Sequence, residues 1–198
     1  MLKKILFPFA FIVLMFGSAG VFAQRGSDTV MVLPFENTSG KPEFNWVGES
    51  FAMSLSELLK IPALNVISNS ERKIIQQRLR IPLANLPSLA TSIKLARESG
   101  ATLLIAGDYT ILPAQGDTAA TLNVNARIIR VNEGRFLREE FADGSGKTRE
   151  IVLNDALGNL QTMQGQVAYQ ILYQRDKALP FSQNELIERG TKVPARAF

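Results

Sequence analysis

The 198-residue sequence contains no cysteine and no histidine. Without cysteine there can be no disulfide bond and no thiol nucleophile, so the fold must be stabilised by its core. Without histidine there can be no Ser-His-Asp triad, no histidine general base and none of the common histidine-containing zinc sites. These absences remove the most common routes to hydrolytic and metal-dependent catalysis.

Charge is also sparse, because only 20% of the residues are charged while 46% are hydrophobic. This balance predicts a folded chain. The one basic cluster, ERKIIQQRLR at residues 71–80, places its charges at helical spacing beside Ile74, Ile75 and Leu79. We interpret it as the solvated face of an amphipathic helix, and we expect no nucleic-acid partner.

The start of the chain has the pattern of a secretory signal peptide. Lys3 and Lys4 precede an apolar run that ends at Phe16, and small residues lead to VFA before Gln24. We therefore predict a signal peptide at residues 1–23, cleaved between Ala23 and Gln24. An uncleaved membrane anchor is the alternative, although the run is short of the ~20 residues that span a bilayer. No lipid anchor is expected, since no cysteine follows the signal.

The sequence after the predicted signal peptide shows the patterns of strands and helices in the order βαβα(α)βββα. TVMVLPF at residues 29–35 is an apolar run typical of a buried parallel strand. Helical patterns follow from Trp46 and from Ser68, where Glu71 completes a capping box. Short strands are predicted at residues 64–68 and 101–112.

The later part predicts antiparallel strands and a long final helix. Residues 121–127 alternate between apolar and polar, and NEG at 132–134 is a tight-turn signal before a returning strand at 135–141. An amphipathic helix is predicted over residues 152–173, and residues 177–198 read as a polar tail or linker. The fold class is therefore α/β: a mixed sheet with a parallel βαβ front half, an antiparallel hairpin and helices packed on the sheet.

The stretch FADGSGKTREI at residues 141–151 resembles a nucleotide-binding P-loop. A P-loop places its first glycine five positions before Gly146, but that position is Phe141. Only a helix and a tail are predicted to follow, so no later strand can supply a magnesium-binding acid. We interpret the stretch as a loop that ends the hairpin and caps the last helix, with Lys147 solvated and no nucleotide bound.

Two further motifs resemble catalytic patterns without completing them. GESFA at residues 48–52 lacks the final glycine of a nucleophile elbow and lies inside a predicted helix. Glu139 and Glu140 are adjacent in a predicted strand and face opposite sides. The other loop carboxylates show no metal-ligand spacing. We therefore predict no catalytic residue, no metal site and no cofactor.

The loop ENTSGKPEFNW after the first strand is the candidate site. Open α/β sheets commonly place ligands at the carboxyl ends of their strands. The loop combines hydrogen-bonding side chains with an aromatic pair that includes the only tryptophan: Glu36, Asn37, Thr38, Ser39, Lys41, Phe44 and Trp46. The structural alternative is that the polar residues form turns and the aromatic residues fix the entry to the first helix.

Residues 30–68 resemble a known family. The pattern VMVLPFENTSG, followed by WVGESFAMSLSELL, proline and LNVIS, is similar to the amino-terminal domain of TolB-like and FlgO-like envelope proteins. That domain also occurs in bacterial proteins with tetratricopeptide repeats. The resemblance continues to the final predicted helix and implies a TolB/FlgO-like α/β domain over residues 24–176. Relatives often continue into helical repeats after such a segment, so residues 177–198 are either a linker into such repeats or the tail of a short form that works alone.

The resemblance implies a non-catalytic protein-interaction or assembly module, periplasmic or secreted, with an unidentified protein partner in the periplasm or at the outer membrane. The predicted contact is the loop after the first strand or a sheet edge. A binding domain for a small ligand or a cell-wall fragment at the same loop is the alternative, and a nucleotide hydrolase that uses Lys147 is the third hypothesis.

Overall fold

A computed structural model describes residues 27–83, 86–116, 119–140, 146–148 and 150–192. The predicted signal peptide with its cleavage site at Ala23 and Gln24 lies outside these residues, as does the first part of the P-loop-like stretch. The strands and α-helices follow in this order: β1 (Asp28–Val32), β2 (Glu36–Asn37), α1 (Trp46–Leu58), β3 (Leu64–Val66), α2 (Asn69–Arg78), α3 (Leu89–Glu98), β4 (Leu103–Leu112), β5 (Thr121–Arg130), β6 (Arg135–Phe136), β7 (Arg138–Glu140), β8 (Gly146–Thr148), β9 (Ile151–Ala156), α4 (Leu160–Arg175) and α5 (Gln183–Lys192).

The main sheet is mixed, as predicted. Its strand order is β3-β1-β4-β5-β6. Strand β1 pairs in parallel with β3 and β4, while β4 and β5 are antiparallel over ten residue pairs. Strand β2 pairs with β4, and β9 pairs with β5. The parallel front half and the antiparallel hairpin of the predicted fold class are confirmed.

Helices cover the two faces of the sheet unequally. On β1, Val30 and Val32 point into the larger core beneath α1, α4 and α5, whereas Met31 and Leu33 point into a smaller core beneath α2 and α3. This division follows from the period of two along a strand. The smaller core covers only part of its face, and none of the described helices packs on the rest of it.

The predicted capping box of Ser68 and Glu71 is present. Ser68 Oγ accepts a hydrogen bond from the backbone N–H of Glu71, and the Glu71 carboxylate accepts one from the backbone N–H of Ser68. The bond from the Ser68 N–H, together with one that the Ser68 hydroxyl donates to the same carboxylate oxygen, lowers the pKa of Glu71. Ser88 caps α3 through the backbone N–H of Thr91.

The prediction that the charges of α2 form a solvated face is wrong at Arg72. This side chain is 3% exposed and lies between α1 and α2, whereas Ile74 is 63% exposed. Arg72 Nη2 lies 3.3 Å from Glu49 Oε2, and its Nε donates to Asn69 Oδ1 at 2.9 Å. A guanidinium can be buried here because a carboxylate and amide oxygens satisfy its donors.

The helix predicted over residues 152–173 begins later in the structure than predicted. Residues 151–156 form β9, a short 3₁₀ turn spans Leu157–Asn159, and α4 begins at Leu160. Within the P-loop-like stretch, Gly146–Thr148 forms β8, which pairs with β7, and Ile151 begins β9. The stretch therefore does not cap the last helix, and the physical reason is the six-residue pairing of β9 with β5.

The prediction of a polar tail over residues 177–198 is also corrected for the part that the structure describes. Helix α5 packs on α4 and α1, with Leu186 completely buried. Gly165 of α4 permits this approach, because a Cβ there would lie 2.8 Å from the Cα of Ile187. Across the described ranges, no helix combines the length and apolar character needed to cross a membrane.

Candidate functional site

The loop predicted as the site is held by its own side chains. Glu36 and Asn37 form β2. Asn37 Nδ2 donates to the carbonyl of Lys41 and to Asn45 Oδ1, both at 2.8 Å. Asn37 Oδ1 accepts the backbone N–H of Ser39 at 3.0 Å and also bonds the Ser39 hydroxyl. Asn37 and Ser39 thus build the turn.

Thr38 fixes the same loop to β4. Its backbone N–H and its hydroxyl both donate to the carbonyl of Tyr109 at 2.9 Å, and its Oγ1 lies 2.6 Å from Thr110 Oγ1. The buried Tyr109 hydroxyl donates to the carbonyl of Phe44 at 2.7 Å. Burial raises the pKa of Tyr109 to about 12.

The aromatic residues of the loop have different environments. Phe44 packs against the larger core, whereas Trp46 begins α1 and is 42% exposed. Among the described residues, no hydrogen bond involves the side chains of Glu36, Lys41 or Trp46. These three are the predicted site residues whose side chains remain available to a partner.

The GESFA motif of α1 has a packing role. A Cβ on Gly48 would lie 2.1 Å from the carbonyl oxygen of Phe35, so the helix closely approaches the segment between β1 and β2 at this residue. The Gly48 carbonyl accepts the backbone N–H of Phe35 at 3.3 Å. Ser50 Oγ accepts a hydrogen bond from Gln164 Nε2 of α4 at 2.9 Å. Gly48 and Ser50 therefore join α1 to the segment between β1 and β2 and to α4.

The part of the sheet without a helix presents what we call the open face. Leu122, Val124 and Ala126 of β5 point into the larger core, so the residues between them point the other way. Residues paired across the strands share a face. Asn123 pairs with Thr110 and Asn154, Asn125 pairs with Val152, and Thr121 pairs with Leu112. Asp108, paired with Asn125, and Ala156, paired with Thr121, lie at the edges of this surface, and we define the open face as the residues between them: Thr110, Leu112, Thr121, Asn123, Asn125, Val152 and Asn154.

Charged residues border the open face on one side. Arg127 Nε lies 3.0 Å from Glu150 Oε1, and the Arg127 guanidinium lies over the Phe136 ring at 5.7 Å from its centroid. Glu36 is the cross-strand neighbour of Asp108. Because Asp108 is also paired with Asn125, these acidic residues continue a row of the open face.

A groove lies at this charged border. Its volume is about 200 Å³, and Pro34, Leu86, Leu89 and Phe136 form its apolar walls. Glu36, Asp108 and Arg127 supply its charged groups. Leu86 and Leu89 are 39% and 48% exposed, so they also form an apolar rim. Of the seven predicted site residues, Glu36 alone lines the groove.

The sequence indicated part of this surface. Alternation over residues 121–127 predicted the exposed side of β5. The residues of β9 have a helical pattern and those of β2 have the composition of a loop, so neither strand was predicted. The pairing of four strands at one face depends on tertiary contacts that a single sequence does not display. Among the described residues, no cluster of acidic side chains has the arrangement of a metal site.

No family model matches the chain, and no curated protein sequence matches it significantly. Among solved structures, the chain is similar to the C-terminal domain of LpoB from Escherichia coli (14% identity, TM-score 0.42, 66% of this chain and 83% of that chain). It is also similar to lipoprotein GNA1162 from Neisseria meningitidis (16%, 0.46, 76% and 99%) and to TolB from Acinetobacter baumannii (12%, 0.40, 76% and 29%). At these values the likenesses assign neither a family nor a function to this chain.

Proposed function

We propose that this chain is a non-catalytic, exported module that binds a protein partner in the bacterial cell envelope through the open face. The observation that carries the proposal is the uncharged centre of that face. Its seven residues include no charged side chain, while Glu36, Asp108, Arg127 and Glu150 lie along one border. Protein interfaces have the same anatomy, with charged residues depleted at the centre and a polar rim around it.

The side chains of the open face suit contact with a protein. Leu112 and Val152 are 54% and 67% exposed, so each offers apolar area that is now in water. Asn123 and Asn154 bond each other across β5 and β9, which holds their amide groups in place. Short polar side chains lose little conformational entropy when a partner covers them.

The proposal differs from the predicted use of the loop. Asn37, Thr38 and Ser39 already form hydrogen bonds within the loop and to β4. Binding a partner through these groups would require those bonds to break. We therefore assign the loop a supporting role, in which it holds β2 beside the open face.

The exported, non-catalytic part of the proposal rests on the sequence. The predicted signal peptide directs the chain to the periplasm, and the resemblance to TolB/FlgO-like domains favours an assembly role. The motif residues Ser50 and Lys147 support a non-catalytic module, since Ser50 is bonded to Gln164 and Lys147 lies in a strand opposite Glu139. A role as the head domain of a tetratricopeptide-repeat scaffold predicts helix-pair repeats of ~34 residues in the gene after codon 198.

Affinity purification from crosslinked cells tests the binding face. Asn123→Lys places a charge at the centre of the open face, and Asn184→Lys makes the same change on exposed α5. We expect the first variant to lose the co-purified protein and the second to retain it. A third variant, Trp46→Ala, tests the loop.

Loss of the partner with Trp46→Ala, together with retention with Asn123→Lys, would contradict the proposal and return the site to the loop. Equal recovery of the co-purified protein with all three variants would contradict the assignment of either surface, the open face or the loop, as the binding site. Circular dichroism of each purified variant verifies the fold.

The groove favours a second candidate function, the binding of a small ligand or cell-wall fragment beside Glu36. Its volume of about 200 Å³ is below the ~300–1,000 Å³ of typical ligand pockets, so this candidate ranks second. A titration with soluble muropeptides, followed by the methyl signals of Leu86 and Leu89, tests it. Saturable shifts of these signals would support the candidate, and unchanged signals would exclude it.

A further inference from the structure

Three hydrogen-bond acceptors lie in one row at the border of the open face. Glu36 of β2 pairs with Asp108 of β4, and Asp108 pairs with Asn125 of β5. Cross-strand neighbours have Cβ atoms roughly 4.5–5.5 Å apart and point to the same side of the sheet. We call Glu36, Asp108 and Asn125 the acceptor row.

The acceptor row has no donor within the described part of the chain. Neither carboxylate takes part in a side-chain hydrogen bond or an ion pair there. Asn125 Oδ1 is buried and has no hydrogen-bond partner. The adjacent cation, Arg127, is already within 3.0 Å of Glu150. Neighbouring like charges and a buried unpaired acceptor are both unfavourable in the free protein.

The groove beside the acceptor row has the size of a side chain rather than of a whole ligand. Its volume is about 200 Å³, and apolar groups from Pro34, Leu86, Leu89 and Phe136 form its walls. A long side chain with an apolar stem and a cationic end would place the stem along these walls and the charge at the carboxylates.

We propose that the acceptor row and the groove bind an arginine side chain of the protein partner, with an apolar residue of the partner against Leu86 and Leu89. This inference rests on the proposed function and names the chemistry that the partner presents. Charge complementarity selects a cation, because the adjacent Arg127 is paired with Glu150 and neither Glu36 nor Asp108 forms an ion pair among the described residues. The guanidinium is favoured over an ammonium group, since its five donors form a planar fork that can bond the carboxylates of Glu36 and Asp108 together.

A peptide titration tests this inference without knowledge of the partner. The probe is an acetylated and amidated peptide, Leu-Ala-Arg-Ala-Leu, and its control contains citrulline, the neutral analogue of arginine, at the central position. Binding to the whole protein is followed by NMR through the amide of Asp108 and the methyl groups of Leu86 and Leu89. We expect saturable shifts of these signals with the arginine peptide and at least about tenfold weaker binding of the citrulline peptide.

Two variants locate the binding. Asp108→Asn should weaken the arginine peptide about tenfold or more, whereas Glu57→Gln, the same loss of charge on exposed α1, should leave its affinity unchanged. Glu36→Gln, at an exposed position, takes the place of Asp108→Asn if that variant does not fold.

Equal binding of both peptides, or unchanged affinity in Asp108→Asn, would overturn the inference, as would the absence of shifts at Leu86 and Leu89. If Asn123→Lys still abolishes partner capture in that case, the proposed function stands and only its arginine chemistry is wrong. If partner capture also survives Asn123→Lys, both the arginine inference and the proposed function are wrong.

Discussion

Gly48 permits the contact between α1 and Phe35, in the segment that joins β1 to β2, and replacing it with alanine should destabilise the protein. The new Cβ would lie 2.1 Å from the carbonyl oxygen of Phe35, whereas carbon and oxygen atoms in contact are about 3.3–3.6 Å apart. Either α1 or the segment that contains Phe35 must therefore move by about 1 Å. Phe35 is 2% exposed and stacks on Phe51 at 4.8 Å between ring centroids, so the movement disturbs the larger core.

The expected loss follows from three effects. Overpacking of a core costs about 1–3 kcal/mol, and loss of the hydrogen bond from Phe35 N–H to the Gly48 carbonyl costs about 1 kcal/mol. The higher helix propensity of alanine offsets roughly 1 kcal/mol. We therefore expect Gly48→Ala to lower the free energy of unfolding by about 1–3 kcal/mol.

Urea unfolding of both proteins, followed by circular dichroism, measures this difference. Gly158→Ala is the matched control, because a Cβ on Gly158 meets no atom within 4 Å. This control should remain within about 0.5 kcal/mol of the wild type. Equal stability of the wild type and Gly48→Ala would refute the packing role of Gly48.

Three more predictions concern the interior. Glu49→Gln should destabilise the fold by about 1.5–3 kcal/mol in urea unfolding, because the buried guanidinium of Arg72 loses its charged partner. An effect no larger than that of the exposed change Glu57→Gln would contradict this. The pKa of Tyr109 is raised to about 12 in the folded protein, so stability should fall as the pH rises from about 10 to about 12. Tyr109→Phe should have a weaker pH dependence there, and identical profiles in urea unfolding would refute the assignment. Leu186→Ala should cost about 2–5 kcal/mol by the same assay, whereas a loosely attached tail would show almost no change.

The front half of the fold was predictable from local signals. The capping box of Ser68 and Glu71 and the apolar run of β1 act within a few residues, and the structure contains both. The turn at residues 132–134 is confirmed by Gly134, which has φ of +64° and donates its N–H to the carbonyl of Arg130. Such features are determined by nearby residues and need no knowledge of the tertiary fold.

The later elements could not be predicted from local sequence signals. Leu153, Leu157 and Leu160 have helical spacing, yet the first lies in β9 because β5 offers it a pairing edge. Arg72 is buried because Glu49, 23 positions earlier, lies beside it. Helix α5 has few buried side chains, so its packing on α4 is hidden by its polar composition. Long-range contacts override local preference at each of these positions.

The open face could not be predicted from the sequence for a related reason. Asn123, Asn154 and Thr110 are 13 to 44 positions apart in the chain and become neighbours only through the pairing of β5 with β4 and β9. The loop residues Asn37, Thr38 and Ser39 are close in sequence and showed the composition of a site. Turn chemistry accounts for these three residues, while the candidate surface lies across the strands beside them.

Site-specific photo-crosslinking in living cells tests the open face most directly. A benzophenone amino acid replaces Val152 on the open face or Ile74 on α2, two apolar residues with similar exposure, 67% and 63%. We predict that the probe at position 152 yields a discrete protein adduct after irradiation, and that Asn123→Lys abolishes it. The probe at position 74 should yield none. An adduct from position 74 but not from 152, or an adduct at 152 that survives Asn123→Lys, would contradict the assignment of the open face as the binding surface.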